Sequence, residues 1–169
     1  MEAMDAILSR RSIRKYTAEP IPEQIVNQLL EAAMSAPSAH NEQPWHFVLI
    51  TERNILGEIP KFHPYSNMLN ESPLAITVCG NLQRESKKKF WVQDCSAATQ
   101  NILIAAQAKG LGAVWLAVYP IKKRVLGVQK LLALPEYVIP LCLVSVGYPA
   151  EWKPPANRYD ASRVHNNQW

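Results

Sequence analysis

The sequence predicts a layered domain of the mixed α/β or α+β class, with helices packed on a sheet of four or five strands. Two observations lead to this prediction. Apolar segments with helical spacing alternate with short apolar runs typical of buried strands, in the order α-α-β-α-β-α-β-α-β. The chain has 169 residues, of which 48% are hydrophobic and 19% charged, which argues against a disordered, collagen-like or coiled-coil protein.

The helices are predicted from apolar spacing and from the residues that begin or end them. Pro22 suits the first turn of the second helix, and Pro37 lies just beyond its end. Gly110 follows the fourth helix, at the position where a C-terminal glycine is common. The predicted helices span residues 3–10, 22–35, 52–59, 90–109 and 122–132.

Four strands are predicted, over residues 46–51, 74–79, 113–119 and 138–146, and residues 61–72 are expected to be irregular.

We expect residues 1–169 to form one domain that ends in an extended arm, residues 148–169. This arm is polar, yet it carries Trp152, Tyr159 and Trp169. Because a free tail seldom contains so much aromatic surface, we expect the arm to lie on another surface, such as a second subunit.

The charge and the cysteines exclude several classes of site. A net charge of +4 suits an anionic ligand but is weak support for nucleic-acid binding. Three cysteines, Cys79, Cys95 and Cys142, without a CxxC pair argue against a disulfide framework or a zinc site. A reducing, cytoplasmic compartment is therefore expected. The N-terminus shows no signal peptide, and residues 102–120 read as a buried helix and strand rather than a membrane span.

Familiar catalytic motifs are absent from the sequence. It contains no GxGxxG between a strand and a helix, no GxxxxGK[ST], no HExxH and no GxSxG. No catalytic side chain and no metal site is therefore assigned. If the protein is an enzyme, its reactive group comes from a cofactor.

Four segments carry groups that could bind such a cofactor. Residues 10–14 offer three arginines and a serine suited to a phosphate. Residues 37–45 offer side-chain amides that could form hydrogen bonds with the edge of a heterocycle. Residues 112–117 are small and apolar, so a flat ligand could approach the backbone. Residues 153–158 place two basic side chains on a proline-stiffened tail. Taken singly, each segment is weak evidence for a cofactor site, and an ordinary structural role is the better explanation for the first, third and fourth.

Taken together and in this order, the segments resemble the nitroreductase family of FMN-dependent flavoproteins. The resemblance runs from Ile7 to Arg163. Its most specific parts are RRSIRKY at residues 10–16 and APSAHNEQPW at residues 36–45. Support comes from QDCSAATQN at residues 93–101, GLGAVW at residues 110–115, and GYP at residues 147–149 followed by Lys153 and Pro154.

The resemblance implies an α+β homodimer, a three-layer α/β/α sandwich with a mixed four- to five-stranded sheet and the C-terminal arm on the partner. FMN would lie at the subunit interface. NADH or NADPH would pass a hydride to N5 of the flavin, and a nitroaromatic, quinone or similar small molecule would then accept it by a ping-pong mechanism. No nucleic-acid or membrane partner is implied.

The resemblance also implies the residues that bind FMN. Arg10 and Arg158 would hold the phosphate, Arg14 would lie by the N1/O2 side of the ring, and Arg11 and Ser12 would add contacts. The partner subunit would supply Pro37, Ser38, Ala39 and His40. Gln43 would face the ring or ribityl chain, Asn67 would read the pyrimidine edge, and the backbone near N5 would be that of Trp115, Leu116 and Ala117.

Two alternatives remain open at this point. One is a flavoenzyme dedicated to a single metabolite, such as a dehalogenase or a cofactor-fragmenting enzyme. The other is a non-enzymatic protein, either an FMN-binding regulator or a nucleic-acid-binding protein. The basic runs at residues 87–89 and 122–124 are the only support for nucleic acid, and they lack aromatic residues spaced for bases.

Overall fold

The computed structural model describes residues 1–86 and 90–169 and contains the predicted elements in the predicted order. Predicted and observed bounds agree within about two residues. β2 runs past Gly80 to Asn81, because both residues pair with β4. The helices are α1 (Ala3–Ser9), α2 (Glu23–Met34), α3 (Arg53–Glu58), α4 (Trp91–Ala108) and α5 (Lys122–Leu131). The strands are β1 (Trp45–Ile50), β2 (Leu74–Asn81), β3 (Gly112–Ala117) and β4 (Val138–Gly147).

The four strands form one sheet in the order β1-β2-β4-β3, and all three neighbouring pairs are antiparallel. The α+β class is confirmed, but the expectation of a mixed sheet is wrong. β2 and β3 run in the same direction and are joined by α4, yet β4 inserts between them in the opposite direction. In the described part of the chain, parallel pairing is limited to a single bridge between Ser12 and Ala113.

Helices cover both faces of the sheet, which confirms the three-layer arrangement. Alternate residues of each strand point to opposite faces. Ile76 and Val144 pack against α2 and α4, in a core that includes Ile102. Leu143 faces the opposite side, in a second core that contains Leu56 of α3 and Val128 of α5. The sheet is therefore buried on both sides, and β3 lies at one of its edges.

An extended segment, residues 10–17, runs along the free edge of β3 and will be called the edge segment. The Ile13 N–H donates to the Ala113 carbonyl at 3.0 Å, and Tyr16 forms a bridge with Pro149. The backbone approach is close, since a Cβ on Gly112 would lie 2.6 Å from Cγ2 of Ile13. The edge segment therefore needs glycine at this position of β3.

The first part of the C-terminal arm returns over the edge segment of its own chain. The Ala150 N–H donates to the Lys15 carbonyl at 2.9 Å, and Lys153 Nζ donates to the Ser12 carbonyl at 2.7 Å. Glu151 Oε1 accepts the Arg14 backbone N–H at 2.6 Å. Most residues after Pro154 are exposed, and Tyr159 is 86% exposed. The prediction that the arm lies on a second subunit therefore applies to the later part of the arm.

Cys79, Cys95 and Cys142 are buried and unpaired, as expected of a chain without disulfides. Burial raises the pKa of the Cys79 and Cys142 thiols to about 12, so neither is a ready nucleophile. Across residues 1–86 and 90–169, no helix has the length and apolar character needed to cross a membrane.

Gly112→Ala should destabilise the protein, because the new Cβ would overlap Ile13 and push the edge segment off β3. We expect a loss of about 1–3 kcal/mol in the free energy of unfolding, measured by denaturant titration. Gly57→Ala in α3 is the matched control, since its Cβ would come no closer than 4.0 Å to a neighbour. A Gly112→Ala protein as stable as the Gly57→Ala protein would contradict the packing described.

Glu151→Gln should remove a pH-dependent part of the stability. The Arg14 backbone N–H and then Lys153 hold the pKa of Glu151 below its ordinary value of 4.5. The contribution of a carboxylate with a lowered pKa is complete above the unfolded value and is lost as the pH falls through the folded value. At pH 7 the variant should be about 1–2 kcal/mol less stable.

Equilibrium unfolding at a series of pH values checks this prediction. The difference between wild type and Glu151→Gln should shrink as the pH falls below 4.5. Glu136→Gln makes the same charge change at an exposed turn and serves as the control. A difference that does not depend on pH would show that the ionised carboxylate does not hold the arm.

Candidate functional site

The free edge of β3 presents backbone polar groups to its surroundings. The Ala113 carbonyl bonds the edge segment, whereas the Val118 N–H bonds Leu141 on the β4 side at 3.1 Å. Backbone groups of a strand alternate between its two edges. The N–H and C=O of Ala117, four residues after Ala113, therefore point away from β4 and toward the outer edge.

A cavity of about 440 Å³ lies at this edge and will be called the β3-edge cavity. This volume is within the range of small-molecule sites. Five of the sequence-predicted residues line it: Arg14, Asn67, Trp115, Leu116 and Ala117. His63, Pro64, Tyr65, Met68 and Arg124 complete the lining. The fold thus gathers the middle of the edge segment, the end of β3, the 3-10 turn at Asn67–Asn70 and the start of α5.

Two side chains hold the Ala117 carbonyl at the floor of this cavity. His63 Nε2 and Arg124 Nη1 each lie 2.9 Å from the Ala117 oxygen. The His63 ring is 1% exposed, and burial lowers its pKa. The imidazole is therefore neutral, and Nε2 carries its hydrogen because the Ala117 carbonyl oxygen can only accept. The buried Nδ1 has no hydrogen-bond partner in the described chain. Both donors stabilise the orientation of the last peptide of β3.

Arg14 and Asn67 supply the remaining polar groups that sequence analysis predicted for this cavity. The Arg14 backbone is fixed by Glu151, but its guanidinium forms no ion pair among the described residues. The Asn67 amide likewise forms no side-chain hydrogen bond within the described chain, so it can both donate to and accept from a ligand.

A second cavity, of about 390 Å³, contains Arg10 and Arg158 and will be called the arginine cavity. It is lined by Ile7, Leu8, Arg10, Pro155, Ala156, Asn157, Arg158 and Tyr159. Burial, followed by the positive charges of Arg158 and Arg11, lowers the pKa of Arg10. Because guanidinium stays charged in proteins and no carboxylate lines this cavity, the two arginines present an unbalanced positive charge suited to a phosphate.

Arg11 and Ser12 serve the edge segment rather than either cavity. Arg11 Nη1 donates to the Pro154 carbonyl, and the Ser12 carbonyl accepts from Lys153. The edge segment connects the two cavities, since Arg10 at its start lines one of them and Arg14, four residues further on, lines the other. Four residues span at most about 14 Å of extended chain.

The loop of residues 37–43 lines neither cavity within one chain. His40, Asn41 and Gln43 have φ values of 53°, 57° and 48°, which non-glycine residues rarely adopt. Buried Asp94 accepts the Ala39 N–H at 3.0 Å, and the Gln43 amide donates to Asn41 at 2.9 Å. Such backbone strain persists only where surrounding contacts hold it, and it is common at ligand sites. Pro37, Ser38 and His40 lie in the same loop.

Sequence analysis missed His63, Tyr65 and Arg124 as residues of the site. His63 and Tyr65 lie in a stretch without helical or strand periodicity, so no pattern places them beside Ala117. Arg124 lies in the basic run 122–124, and the start of a helix directly after the β3 edge was the available signal. The other basic run, 87–89, lies outside the described residues.

No cluster of three or more His, Cys, Asp or Glu side chains that could hold a metal ion occurs within residues 1–86 and 90–169. The linings of the two cavities suit an organic ligand with one flat polar end and one anionic end. That arrangement depends on backbone groups and cations and uses no nucleophile.

Comparison with known proteins gives the same family throughout. Residues 7–71 and 62–148 match the model of the nitroreductase family. A candidate NADH dehydrogenase/NAD(P)H nitroreductase of Methanothermobacter thermautotrophicus is 47% identical over 169 residues, covering 100% of this chain and 88% of the relative. The crystal structure of a protein with the same candidate name, from Bacteroides thetaiotaomicron, is 42% identical with a TM-score of 0.95, covering 99% and 98%.

A structure described as an FMN-dependent nitroreductase from Clostridium difficile is 26% identical with a TM-score of 0.91, covering 98% of this chain and 99% of that one. The family match spans most of the chain, and the similarity to these proteins extends over nearly all of it. This chain therefore belongs to the nitroreductase family.

Proposed function

We propose that this protein is an FMN-dependent oxidoreductase that takes electrons from NADH or NADPH and reduces a nitroaromatic, a quinone or a similar small acceptor. One observation carries the proposal: the edge segment joins a cavity suited to a flat heterocycle to a cavity suited to a phosphate. FMN has a flat heterocyclic ring at one end and a phosphate at the other. Relatives named as NAD(P)H nitroreductases and as FMN-dependent support the same reading.

The residues present fit FMN at both ends. The Ala117 N–H, the Asn67 amide and the Arg14 guanidinium offer two neutral polar groups and a cation to the ring. Arg10 and Arg158 offer charge-assisted hydrogen bonds to the phosphate. The extended length of residues 10–14, at most about 14 Å, suits a ligand whose ring and phosphate are separated by a short linker.

Bound FMN would supply the redox chemistry by accepting a hydride at N5 and passing it on in a second half-reaction, which is a ping-pong sequence. The chain's own groups bind and orient. The Ala117 N–H lies on the same residue as the carbonyl that His63 and Arg124 hold. Arg14 places a positive charge beside the ring, which favours a ligand that gains negative charge there.

The proposed assembly is a homodimer in which the loop of residues 37–40 contributes to the partner's site. The single chain exposes 9953 Å², whereas a compact monomer of this mass exposes about 8,400 Å². Met4, Ile7 and Leu8 of α1 are exposed apolar residues, and so are Trp152 and Tyr159 of the arm. A second copy that covers these surfaces would also close the arginine cavity, which Ile7 and Leu8 line.

The three free thiols agree with the cytoplasmic location that we propose.

The absorption spectrum of the purified protein tests the central proposal. Oxidised flavin bands at about 370 and 450 nm should be present, or should develop on adding FMN, and should bleach on anaerobic addition of NADH or NADPH. Adding menadione after bleaching should restore them. A colourless protein that fails to take up FMN would refute the proposal, and one that binds FMN but is not reduced would leave only a binding role.

Arg158→Gln should weaken FMN binding without weakening the binding of riboflavin, which lacks the phosphate. We expect the dissociation constant for FMN to rise about ten- to hundredfold, because a charge-assisted contact to phosphate is lost. Fluorescence titration of the apoprotein with each flavin measures the effect.

Arg163→Gln is the matched control, since Arg163 lies in the same arm and pairs with Asp160 in solvent. It should leave both dissociation constants unchanged. Equal weakening of FMN and riboflavin by Arg158→Gln would contradict the assignment of the arginine cavity to the phosphate.

A further inference from the structure

The first turn of α5 concentrates positive charge where a helix tolerates it least. Lys122, Lys123 and Arg124 occupy this turn, and it contains no acidic residue. The N-terminus of a helix carries a partial positive charge, so cations there are unfavourable and anions are favourable. The FMN assignment above uses only the contact of Arg124 with the Ala117 carbonyl, so the remaining positive charge of this turn suits another anionic ligand.

Arg124 reaches from this turn into the β3-edge cavity. Its Nη1 bonds the Ala117 carbonyl at 2.9 Å, and its guanidinium carbon lies 5.5 Å from the centre of the Tyr65 ring. These two contacts orient the planar guanidinium and leave most of its five N–H groups free. Within the described chain, Arg124 forms no ion pair with a carboxylate.

The charges of the β3-edge cavity are unbalanced. Its lining includes two cations, Arg14 and Arg124, and no aspartate or glutamate. His63 lies beside them with a lowered pKa and adds no charge near neutrality. Arg10 and Arg158 already supply a separate site for a flavin phosphate, so a second cationic subsite beside the ring suits a second anion.

We propose that Arg124, supported by the positive first turn of α5, binds a phosphate group of the nicotinamide nucleotide. This inference rests on the function proposed above. The donor must place its nicotinamide in the β3-edge cavity, and it carries a pyrophosphate close to that ring. A fixed guanidinium on the cavity wall can bind phosphate oxygens with two N–H groups at once.

The test compares nucleotide binding in FMN-loaded wild type and Arg124→Gln. NADP⁺ and NAD⁺ cannot reduce the flavin, so calorimetry with them measures binding without turnover. Arg124→Gln should raise both dissociation constants about tenfold. Lys130→Gln, in the last turn of the same helix, makes the same charge change away from the cavity and should leave them within twofold.

A second readout separates phosphate binding from damage to the ring site. The uncharged donor 1-benzyl-1,4-dihydronicotinamide carries no phosphate. Arg124→Gln should reduce the rate of flavin bleaching by dilute NADPH about tenfold more than it reduces the rate of bleaching by the uncharged donor. An equal loss with both donors, or no loss with either, would overturn the inference.

A further pair of ligands tests whether the subsite serves the acceptor instead. If Arg124→Gln weakens reduction of 4-nitrobenzoate but not of nitrobenzene, and leaves NADP⁺ binding unchanged, the anion is the acceptor's carboxylate and the phosphate assignment fails. If wild type itself lacks flavin or is not reduced by any donor, the proposed function fails, which is a separate result.

Arg124→Gln also removes a donor from the Ala117 carbonyl and could lower FMN occupancy. The double variant Lys122→Gln, Lys123→Gln avoids this, because both lysines are exposed and neither lines the β3-edge cavity. It should raise the dissociation constant for NADP⁺ about threefold at low salt, with the difference vanishing near 0.5 M salt. An unchanged constant at low salt would remove the first turn of α5 from the subsite.

Discussion

The pairing of the edge segment with β3 is the interaction on which the rest of the site depends. Ile13 and Ser12 pair with Ala113, and Gly112 allows the two backbones to approach closely. This contact places Arg10 at the arginine cavity and Arg14 at the β3-edge cavity. The start of the C-terminal arm reinforces it through Glu151 and Lys153. A short stretch without helix or strand structure thus sets the spacing between the two ends of the proposed ligand.

The site concentrates cations without compensating carboxylates. Burial lowers the pKa of Arg10, and the positive charges of Arg158 and Arg11 lower it further. Such repulsion costs stability in the free protein and is relieved when an anion binds. We therefore expect bound ligand to stabilise the protein. The loop at His40, Asn41 and Gln43 is a second place where the free protein loses stability, because these residues have positive φ values.

Backbone groups at the end of β3 are positioned by the core behind them. β3 is an edge strand, so every second peptide has no partner on β4, and the outward groups are available to a ligand. His63 and Arg124 immobilise the Ala117 carbonyl, and neighbouring Leu116 is buried against α5. A backbone N–H on a residue whose carbonyl is fixed in this way needs no particular side chain at Ala117, which explains why no catalytic motif marks this site in the sequence.

Periodicity and end signals by themselves determined the nine elements, because burial imposes a spacing of two on strands and about 3.6 on helices. The motifs at residues 10–16 and 36–45 also determined the family. Strand pairing was decided only by the tertiary structure, since nothing local in β4 shows that it inserts between β2 and β3. The same holds for His63 and Tyr65, which are distant from Ala117 in sequence and lie in irregular chain, and for the side chain of Arg124, which lies in the first turn of the helix after β3. They reach one cavity because packing on the sheet, rather than any local pattern, brings their segments to the β3 edge.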